Sequence, residues 1–443
     1  MTYQDIIKKA LELGIQDIEI YAQKQSTQSI NVYEKKLESC NSKDLFGMSL
    51  RGVYNGKMGY AYIETLEEEA VNLALVTLIE NAKTITADKA VLMYDGKAEY
   101  EKVETPSCDA SQISNSEKIN VLKDLEKKAF EKDNRIVKVG HCAYNETKVE
   151  TKIINSKGLD LERSHSYQSV VLNAIAQDGE SIGDAYNFKA AFNLKDIDLD
   201  EIAEDCVAEA TAALGAGFIE TGKYEVVFNR DVATSLLQVF CNNFSAEAAI
   251  KKATLLTDKV GQKVFGENIT ITDDPFYQKG LIKYAFDDEG VPCHKKNIVE
   301  NGVFKGFLHN LETASKFGVE PTGNGFKRGV ASNVKVSPTN LYLAPGAGTK
   351  EDVIANCQKG ILVTSVAGLH SGVNPISGSF NVQAKGFVIE DGKVGRPITL
   401  FVVSGNFYEL YNNVLEIGGD LEDNSTGLSC PTLRIKELMI SGK

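Results

Sequence analysis

The sequence has no tryptophan, only five histidines and no apolar run of membrane-spanning length. Its longest apolar stretches, such as Ile398–Val403, have the length of a strand, whereas a transmembrane helix needs roughly 18 to 20 apolar residues. The eight cysteines are scattered without a CxxC pair, which fits a reducing compartment better than a disulfide framework. The first residues lack the apolar centre of a secretory signal. These absences predict a cytoplasmic protein that does not enter a membrane.

The motifs of zinc peptidases are also absent. Neither HExxH nor HExxxH occurs, and no two of the five histidines lie within five residues of each other. Catalytic zinc takes three protein ligands, and a helix usually supplies two of them one turn apart. The adjacent pairs His141-Cys142 and Cys293-His294 are poor chelators, because neighbours in a strand point to opposite faces. The residues alone therefore indicate neither metal ligands nor a visible catalytic centre.

What is present is an ordinary globular composition with an acidic balance. The 443 residues allow about three domains. Acidic residues outnumber basic ones, 61 against 48, which gives a net charge of −13. A general nucleic-acid binder would normally carry a basic face. We therefore expect protein or peptide partners and no nucleic acid.

Helical and strand patterns alternate through the first half of the chain. Asn55-Gly56 and Asp178-Gly179 lie between alternating runs and predict turns between strands. Thr65 precedes an acidic first turn and is predicted to cap a helix over 65–82. The other predicted helices cover 3–13, 114–132 and 199–214, and the predicted strands cover 18–22, 29–33, 137–144, 146–155 and 167–176.

The second half is richer in strand patterns. A strand over 224–228 precedes a predicted helix over 231–249, and hairpins are predicted at Asn301-Gly302 and Asp391-Gly392. Short strands at this spacing indicate an antiparallel sheet folded into a sandwich or partial barrel. The predicted fold class is α+β: N-terminal units of strand hairpins and helices, followed by a β-rich antiparallel C-terminal domain.

The order of elements suggests three domains and a partial repeat. Residues 28–84 and 147–214 share the order strands, hairpin, helix. Two common α+β units are slightly favoured over an internal duplication, because no residue-level repeat is visible. The predicted divisions are an N-terminal α+β domain over 1–85, a linker over 86–112, a middle α+β domain over 110–216 and a C-terminal β-rich domain over 220–443.

Three polar segments are considered for function. Asp273-Asp274 and Asp287-Asp288-Glu289 flank turn-like segments, and we expect them to form solvated turns. The glycine-rich segment Gly323–Gly329 has two interpretations. It is either a flexible surface loop, which we favour, or a loop that contacts a peptide or partner through backbone amides and Lys327 or Arg328.

Several motifs resemble, in order, those of the TldD/PmbA family, whose members have been called modulators of DNA gyrase and peptide-maturation proteases. The resemblance covers essentially the whole chain, and its specificity lies in the collinear order of loose motifs. The motifs are Asp17–Tyr21, Gly56–Ala61, the run DDEGVPCHKKNIVENGVFKGFLHN, Ala314–Gly318, Pro321–Gly325, Gly372–Phe380, Ala384–Lys393 and Gly418–Leu421.

The resemblance implies a family with two branches. The TldD branch is a zinc metallopeptidase with HExxxH on a helix and a cysteine ligand near its C-terminus, and the PmbA or TldE branch lacks that motif. An ungapped match places Gln238 and Val239 at the His-Glu pair, Asn243 at the second histidine and Cys430 near the cysteine ligand. Amides are poor zinc ligands, and valine is no general base. The chain thus resembles the TldE branch, with zinc expected only in a TldD-like partner.

The leading hypothesis is a non-catalytic, cytoplasmic TldE-like subunit. It would form a heterodimer with a TldD-like metallopeptidase, act on unfolded peptides and possess no catalytic or metal-binding residues of its own; a homodimer is plausible when it is isolated. The first candidates for peptide or partner contact are Asn242, Asn243, Lys327 and Arg328. Two alternatives stay open: a stand-alone peptidase with an unrecognised site, and a non-proteolytic protein-interaction regulator resembling a gyrase modulator.

Overall fold

The computed structural model describes residues 1–86, 92–104, 106, 108–422 and 427–443. The linker predicted over 86–112 therefore lies partly outside the described residues. Among those that are described, no helix is long and apolar enough to cross a membrane.

The first half of the chain forms one antiparallel sheet of six strands, in the order β3-β2-β1-β4-β5-β6. The strands are β1 (Asp17–Tyr33), β2 (Lys36–Tyr54), β3 (Lys57–Ile63), β4 (Ile136–Asn155), β5 (Asp160–Asp178) and β6 (Ser181–Ala191). The turn predicted at Asn55-Gly56 is confirmed, and both residues have positive φ, as the tight turn requires. The turn after Asp178 is also confirmed. Because β1 pairs with β4, the predicted first and middle domains share a single sheet.

Four helices cover one face of this sheet. They are α1 (Tyr3–Glu12), α2 (Glu68–Thr84), α3 (Asn115–Lys132) and α4 (Leu199–Ala212). Even-numbered residues of β1 pack into both helix-covered cores, so the odd-numbered residues face the other side. The cap prediction at Thr65 is wrong: Glu67 is the N-cap, and the Thr65 hydroxyl accepts the Glu67 N–H.

The sheet contains the same unit twice, three strands followed by a helix. Gly59 in β3 and Gly183 in β6 hold equivalent positions against α2 and α4. A Cβ atom at either glycine would lie 2.0 Å from a helix carbonyl oxygen, that of Leu78 or of Ala210. Each helix thus approaches its edge strand so closely that only glycine fits. This geometric repeat favours the internal duplication, which the sequence left as the less favoured alternative.

The second half of the chain contains thirteen described strands and five described α-helices. The strands are β7 (Gly222–Phe228), β8 (Ile271–Asp273), β9 (Lys296–Glu300), β10 (Val303–Phe304), β11 (Gly325–Phe326), β12 (Lys335–Val336), β13 (Leu341–Leu343), β14 (Lys359–Ala367), β15 (Ser379–Glu390), β16 (Lys393–Asn406), β17 (Val414–Ile417), β18 (Leu428–Ser429) and β19 (Leu433–Ser441). The helices are α5 (Arg230–Phe240), α6 (Ala246–Ile250), α7 (Leu311–Phe317), α8 (Lys350–Ala355) and α9 (Phe407–Asn412). A short 3₁₀ turn covers Cys241–Phe244, and two others in the first half of the chain cover Ala110–Gln112 and Leu194–Asp196.

Five of these strands close a barrel. Their order is β16-β15-β14-β7-β19, with β17 beyond β19, and β16 pairs again with β19. A second sheet has the order β10-β9-β8-β13-β18, and one large apolar core joins both sheets to α5. The α+β prediction is confirmed, as are the hairpins at Asn301-Gly302 and Asp391-Gly392. The pairs β7/β14 and β13/β18 are parallel, so the domain is not purely antiparallel.

The single helix predicted over 231–249 is wrong. The α-helix ends at Phe240, tightens into the 3₁₀ turn Cys241–Phe244 and restarts at Ala246. Ser245 has an extended backbone, and its hydroxyl accepts the Glu247 N–H as an N-cap. Because Ser245 caps a new helix within the apolar run, the segment folds as two helices and not as one.

Candidate functional site

A cleft of about 870 Å³ separates the N-terminal sheet from the barrel. One wall is made by residues 181–190, so almost every residue of β6 lines it. Because β6 is the last strand of its sheet, its outward-facing main-chain groups have no strand partner among the described residues. We call this space the cleft: it is bounded by β6 and α4 on one side and by β14, β15 and β16 on the other.

The barrel wall of the cleft is irregular. The register of β14 against β15 shifts between Val363 and Ser365, and the register of β15 against β16 shifts between Ala384 and Gly386. Ser365 and Gly386 both line the cleft. Bulges interrupt a ladder and leave main-chain groups unpaired next to binding sites. Here some of these groups are paired elsewhere: the Val363 carbonyl oxygen accepts from the Asn229 N–H, and the Thr399 N–H donates to the Gly217 carbonyl oxygen. The open strand edge of the cleft is therefore that of β6.

The charges around the cleft balance one another. Asp184 on β6 accepts a 2.7 Å hydrogen bond from Lys385 on β15, which joins the two walls. Arg230 pairs with Glu422 at another point of the lining. The surface thus has no single strong sign, which fits an extended main chain better than a highly charged ligand.

The surroundings of Cys430 test whether this chain fits a zinc ion. Its N–H donates to the Thr234 hydroxyl of α5 at 2.9 Å, and burial raises the pKa of its thiol. A thiol with a raised pKa stays protonated, whereas zinc binds the thiolate. The side chains in contact with it are the hydroxyl groups of Thr234 and Tyr411, and the carboxylate whose charge acts on the thiol, Asp420, already accepts two hydrogen bonds from Thr432. No cluster of three or more His, Cys, Asp or Glu that could hold a metal occurs in the described part of the chain. The donor set therefore does not fit catalytic zinc.

The helix match made from sequence stays a prediction. It places Gln238 and Val239 where the catalytic branch has its His-Glu pair. In the structure Gln238 is exposed, and the α5 side chain in contact with Cys430 is Thr234, one helical turn earlier. Neither Gln238 nor Thr234 carries an imidazole.

The four predicted contact residues occupy different environments. Asn242 and Arg328 are exposed, and Asn243 is buried. None of the four lines the cleft, and of the four only Lys327 lines the second cavity described below. Their role in binding stays a prediction.

Asn243 allows the stability cost of an unsatisfied buried amide to be measured. Neither polar atom of its amide has a hydrogen-bond partner among the described residues. Since an unsatisfied buried polar group costs about 1–3 kcal/mol, Asn243→Leu should raise the free energy of unfolding by about 1–2 kcal/mol. Urea denaturation measures the change, with Asn242→Leu at the exposed neighbouring position as the control. A loss of stability would mean that the amide has a partner that Leu cannot replace.

A second cavity, of about 360 Å³, lies between the outer face of the N-terminal sheet and the second sheet of the C-terminal half. We call it the polar cavity and define it by six of its lining residues, Tyr21, Arg163, Tyr284, Asp288, Phe326 and Lys327. Odd-numbered residues of β1 reach it because the helices cover the opposite face.

Arg163 is the central cation of the polar cavity. Its Nη2 pairs with Asp288, and its Nη1 donates to the Phe286 carbonyl oxygen at 2.9 Å. The rings of Tyr284, Phe286 and Phe326 surround the guanidinium, with 5.4, 5.6 and 5.9 Å from its carbon to their centroids. This ion pair holds the N-terminal sheet against the C-terminal half.

The acidic segment Asp287-Asp288-Glu289 is buried, so the prediction of a solvated turn is wrong. Asp287 accepts the N–H groups of Val291 and Gly325, and Glu289 lies 3.5 Å from the Arg51 guanidinium. Burial and the neighbouring Glu289 charge raise the pKa of Asp287 well above its usual range. These acids are therefore structural anchors between the two halves of the chain.

Asp273-Asp274 is buried as well, which corrects the same prediction. Asp273 accepts hydrogen bonds from Lys296 at 3.0 Å and from Asn324 at 2.8 Å. The glycine-rich segment is not a surface loop over Gly323–Gly325, all of which is buried, although Arg328 and Gly329 are exposed. Its start is held by buried acids, which positions Lys327 in the polar cavity.

Sequence reasoning missed Arg163 and Tyr21. Arg163 lies in a strand whose neighbours Glu162 and Ser164 are exposed, so the local pattern suggests solvent. A signal was available elsewhere: Glu19 is a charged residue inside the apolar run Asp17–Tyr21, and it pairs with Arg51 at 2.6 Å. A charge inside an apolar strand indicates a buried ion pair.

Comparisons with known proteins agree across the whole length. Models of three domains of the PmbA/TldA metallopeptidases match: domain 1 over residues 18–85, the central domain over 108–214 and the C-terminal domain over 221–442. The metalloprotease PmbA of Escherichia coli is 23% identical over 99% of this chain and 96% of its own length.

Two solved structures are similar throughout. A candidate modulator of a DNA gyrase from Thermotoga maritima shares 29% identity, with a TM-score of 0.92 over 99% of this chain and 100% of that one. TldE from Thermococcus kodakarensis shares 26% identity, with a TM-score of 0.92 over 99% of both chains.

Proposed function

The chain belongs to the PmbA/TldD metallopeptidase family, and from this premise we propose that it is a TldE-like subunit that binds unfolded peptide but supplies no catalytic metal. The observation that carries the proposal is the combination of a strand-lined cleft with a donor set that does not fit zinc. The metal and the general base would come from a TldD-like chain paired with this one in the cytoplasm.

Peptide binding is supported by the chemistry of the cleft walls. An extended peptide adds to an exposed strand edge through main-chain hydrogen bonds, which are largely independent of side-chain identity. The edge of β6 offers such groups along residues 181–190. This mode suits a substrate that is unfolded, because a folded segment has its main chain already paired.

The pairing with a TldD-like chain is supported by what this chain lacks. The matched positions Gln238, Val239 and Asn243 offer neither an imidazole nor a carboxylate to a metal or its bound water. The similar protein from Thermococcus kodakarensis is itself named TldE. A subunit of this kind would complete the substrate cleft of its partner.

Reconstitution tests the proposal. The purified chain is expected to hold no stoichiometric zinc and to cleave no unfolded casein. Mixed with a TldD-like chain from the same genome that carries HExxxH, it is expected to yield chelator-sensitive cleavage and to co-elute in gel filtration. A partner whose HExxxH glutamate is changed to glutamine is the control, and it should pair without cleaving.

Other outcomes would favour the alternatives. Cleavage by the isolated chain that persists with chelator would indicate a stand-alone peptidase. Recovery of a topoisomerase without any TldD-like chain would indicate a non-proteolytic regulator. One tightly held zinc ion per isolated chain would contradict the proposal outright.

A further inference from the structure

The polar cavity and the cleft adjoin each other. Leu281 lines both spaces. The segment that contains β18 passes from one to the other: Gly427 lines the polar cavity, and Ser429 and Cys430 line the cleft. A peptide lying in the cleft would therefore have the polar cavity next to it.

Within the polar cavity, one of the two cations has no acidic partner. Arg163 is paired with Asp288. The Lys327 ammonium donates to the Ser49 hydroxyl at 2.6 Å and to the Val330 carbonyl oxygen at 3.0 Å. It lies 4.6 Å from the centre of the Tyr21 ring, and no carboxylate of the described residues forms an ion pair with it. The ammonium is thus held by neutral groups, while Asp288, Glu19 and Glu289 favour its charge without forming an ion pair with it.

The other polar groups of the cavity favour the same ligand. Burial raises the pKa of the Tyr284 phenol to about 12, so this hydroxyl stays protonated and able to donate. Burial and the Arg163 charge lower the pKa of His165 to about 4, so its imidazole is neutral at pH 7. A neutral imidazole and protonated phenols can each donate to an anion without adding charge.

From these contacts we propose that the polar cavity is a carboxylate-binding subsite beside the cleft, and that Lys327 is the residue that recognises the carboxylate. The group would be an acidic side chain or the C-terminal carboxylate of the peptide in the cleft, so the inference rests on the proposed function. The volume of about 360 Å³ lies within the range of about 300–1,000 Å³ of small-molecule sites.

A single negative charge fits better than a phosphate dianion. Lys327 offers one positive charge that forms no ion pair among the described residues. The buried carboxylates of Asp288 and Glu289 lie nearby and would repel a second negative charge. The ligand class is therefore a monoanionic carboxylate.

Paired peptides test the subsite in the full-length chain. A fluorescent unfolded peptide is compared with its C-terminal amide and with a version in which glutamate replaces an internal glutamine. Fluorescence anisotropy gives each Kd. We expect at least one carboxylate form to bind about tenfold more tightly than the neutral peptide. The amide comparison reports the terminal carboxylate, and the glutamate comparison reports an acidic side chain.

Substitutions at neighbouring positions supply the matched controls. Lys327→Gln should remove the preference for the carboxylate, measured as the ratio of the Kd values of the neutral and carboxylate peptides, and Lys327→Arg should restore part of it. Arg328→Gln removes the same charge at an exposed position and should leave the preference intact. Equal binding of all peptides would overturn the subsite but leave the proposed function standing.

A small probe that does not bind in the cleft separates a failure of the carboxylate subsite from a failure of the proposed function. If no peptide binds, the proposed function fails, and N-acetylglycine, a monoanion, against the neutral N-acetylglycinamide still tests the cavity by thermal shift. Stabilisation by N-acetylglycine that Lys327→Gln removes supports the subsite, and its absence overturns it. NMR adds a second measurement: a carboxylate bound at the Lys327 ammonium should shift the resonances of that side chain, whereas a purely structural role of Lys327 predicts no shift.

The pH profile should follow the same ammonium. Burial and the Arg51 charge lower the pKa of Lys327 to about 8, against the opposing charges of Asp288, Glu19 and Glu289. Since the carboxylate favours the protonated amine, the preference should be fully present near pH 7, and a tenfold preference should be lost over about one to two pH units above pH 8. Bound carboxylate should raise the pKa of Lys327. A preference that is independent of pH would contradict its role.

Discussion

Arg163→Met should lower the free energy of unfolding by about 3–5 kcal/mol, the cost of leaving a buried charge without its partner. Arg163 joins β5 to Asp288, which is 3% exposed. Methionine keeps much of the packing against the surrounding rings but leaves the buried Asp288 carboxylate without the guanidinium that pairs with it. Urea denaturation, followed by circular dichroism, measures the loss.

Two variants isolate the cause of that loss. The double variant Arg163→Met with Asp288→Asn removes both charges and should recover a large part of the stability, because an uncharged pair is not penalised as a lone charge is. Arg328→Met, at an exposed position in the neighbouring segment, should change stability by less than about 0.5 kcal/mol. Equal losses in the single and double variants would show that packing, and not charge, is responsible.

Ser365→Trp should abolish peptide binding, and with it the activity of the reconstituted complex. Ser365 is exposed on β14 and lines the cleft opposite β6. A tryptophan ring there would occupy the space between the two strand walls, so an extended chain could no longer pair with the edge of β6. Anisotropy with the neutral unfolded peptide measures the effect, and pairing with the TldD-like chain should persist.

A matched control lies two residues along the same strand. Ala367 is exposed and points to the same face of β14 as Ser365, but it does not line the cleft. Ala367→Trp adds the same ring and should leave binding unchanged. If both variants bind peptide normally, the cleft is not the peptide site.

Local chemistry explains which parts of the fold could be predicted. The turns at Asn55-Gly56, Asn301-Gly302 and Asp391-Gly392 follow from residues that tolerate positive φ, and they are found where the sequence indicates. The extent of β1 could not be predicted in the same way. The polar residues in its middle predict two separate strands, 18–22 and 29–33. Pairing with β2 on one side and β4 on the other keeps the whole segment extended as one strand.

Only part of the candidate site could be predicted from local sequence. Lys327 was accessible from sequence because a glycine-rich segment surrounds it. Arg163 was not, because its partner Asp288 lies 125 residues away, and neither strand pattern nor spacing encodes that contact. Burial of Asp287-Asp288-Glu289 was missed for a similar reason: the cations that pair with Asp288 and Glu289, Arg163 and Arg51, come from distant strands. Non-local pairing, rather than residue type, decides the chemistry of the polar cavity.

The position of β7 in the barrel has a consequence for how the protein is made. This strand lies between β14 and β19, so its ladder is complete only when the chain up to Ser441 is available. The six-stranded sheet is complete at Ala191 and can form while the ribosome is still adding residues. Until β19 emerges, the apolar strand with Val226 and Phe228 has an open edge, and such non-local topologies fold slowly. Nascent chains of this protein should therefore depend on chaperones during the second half of translation.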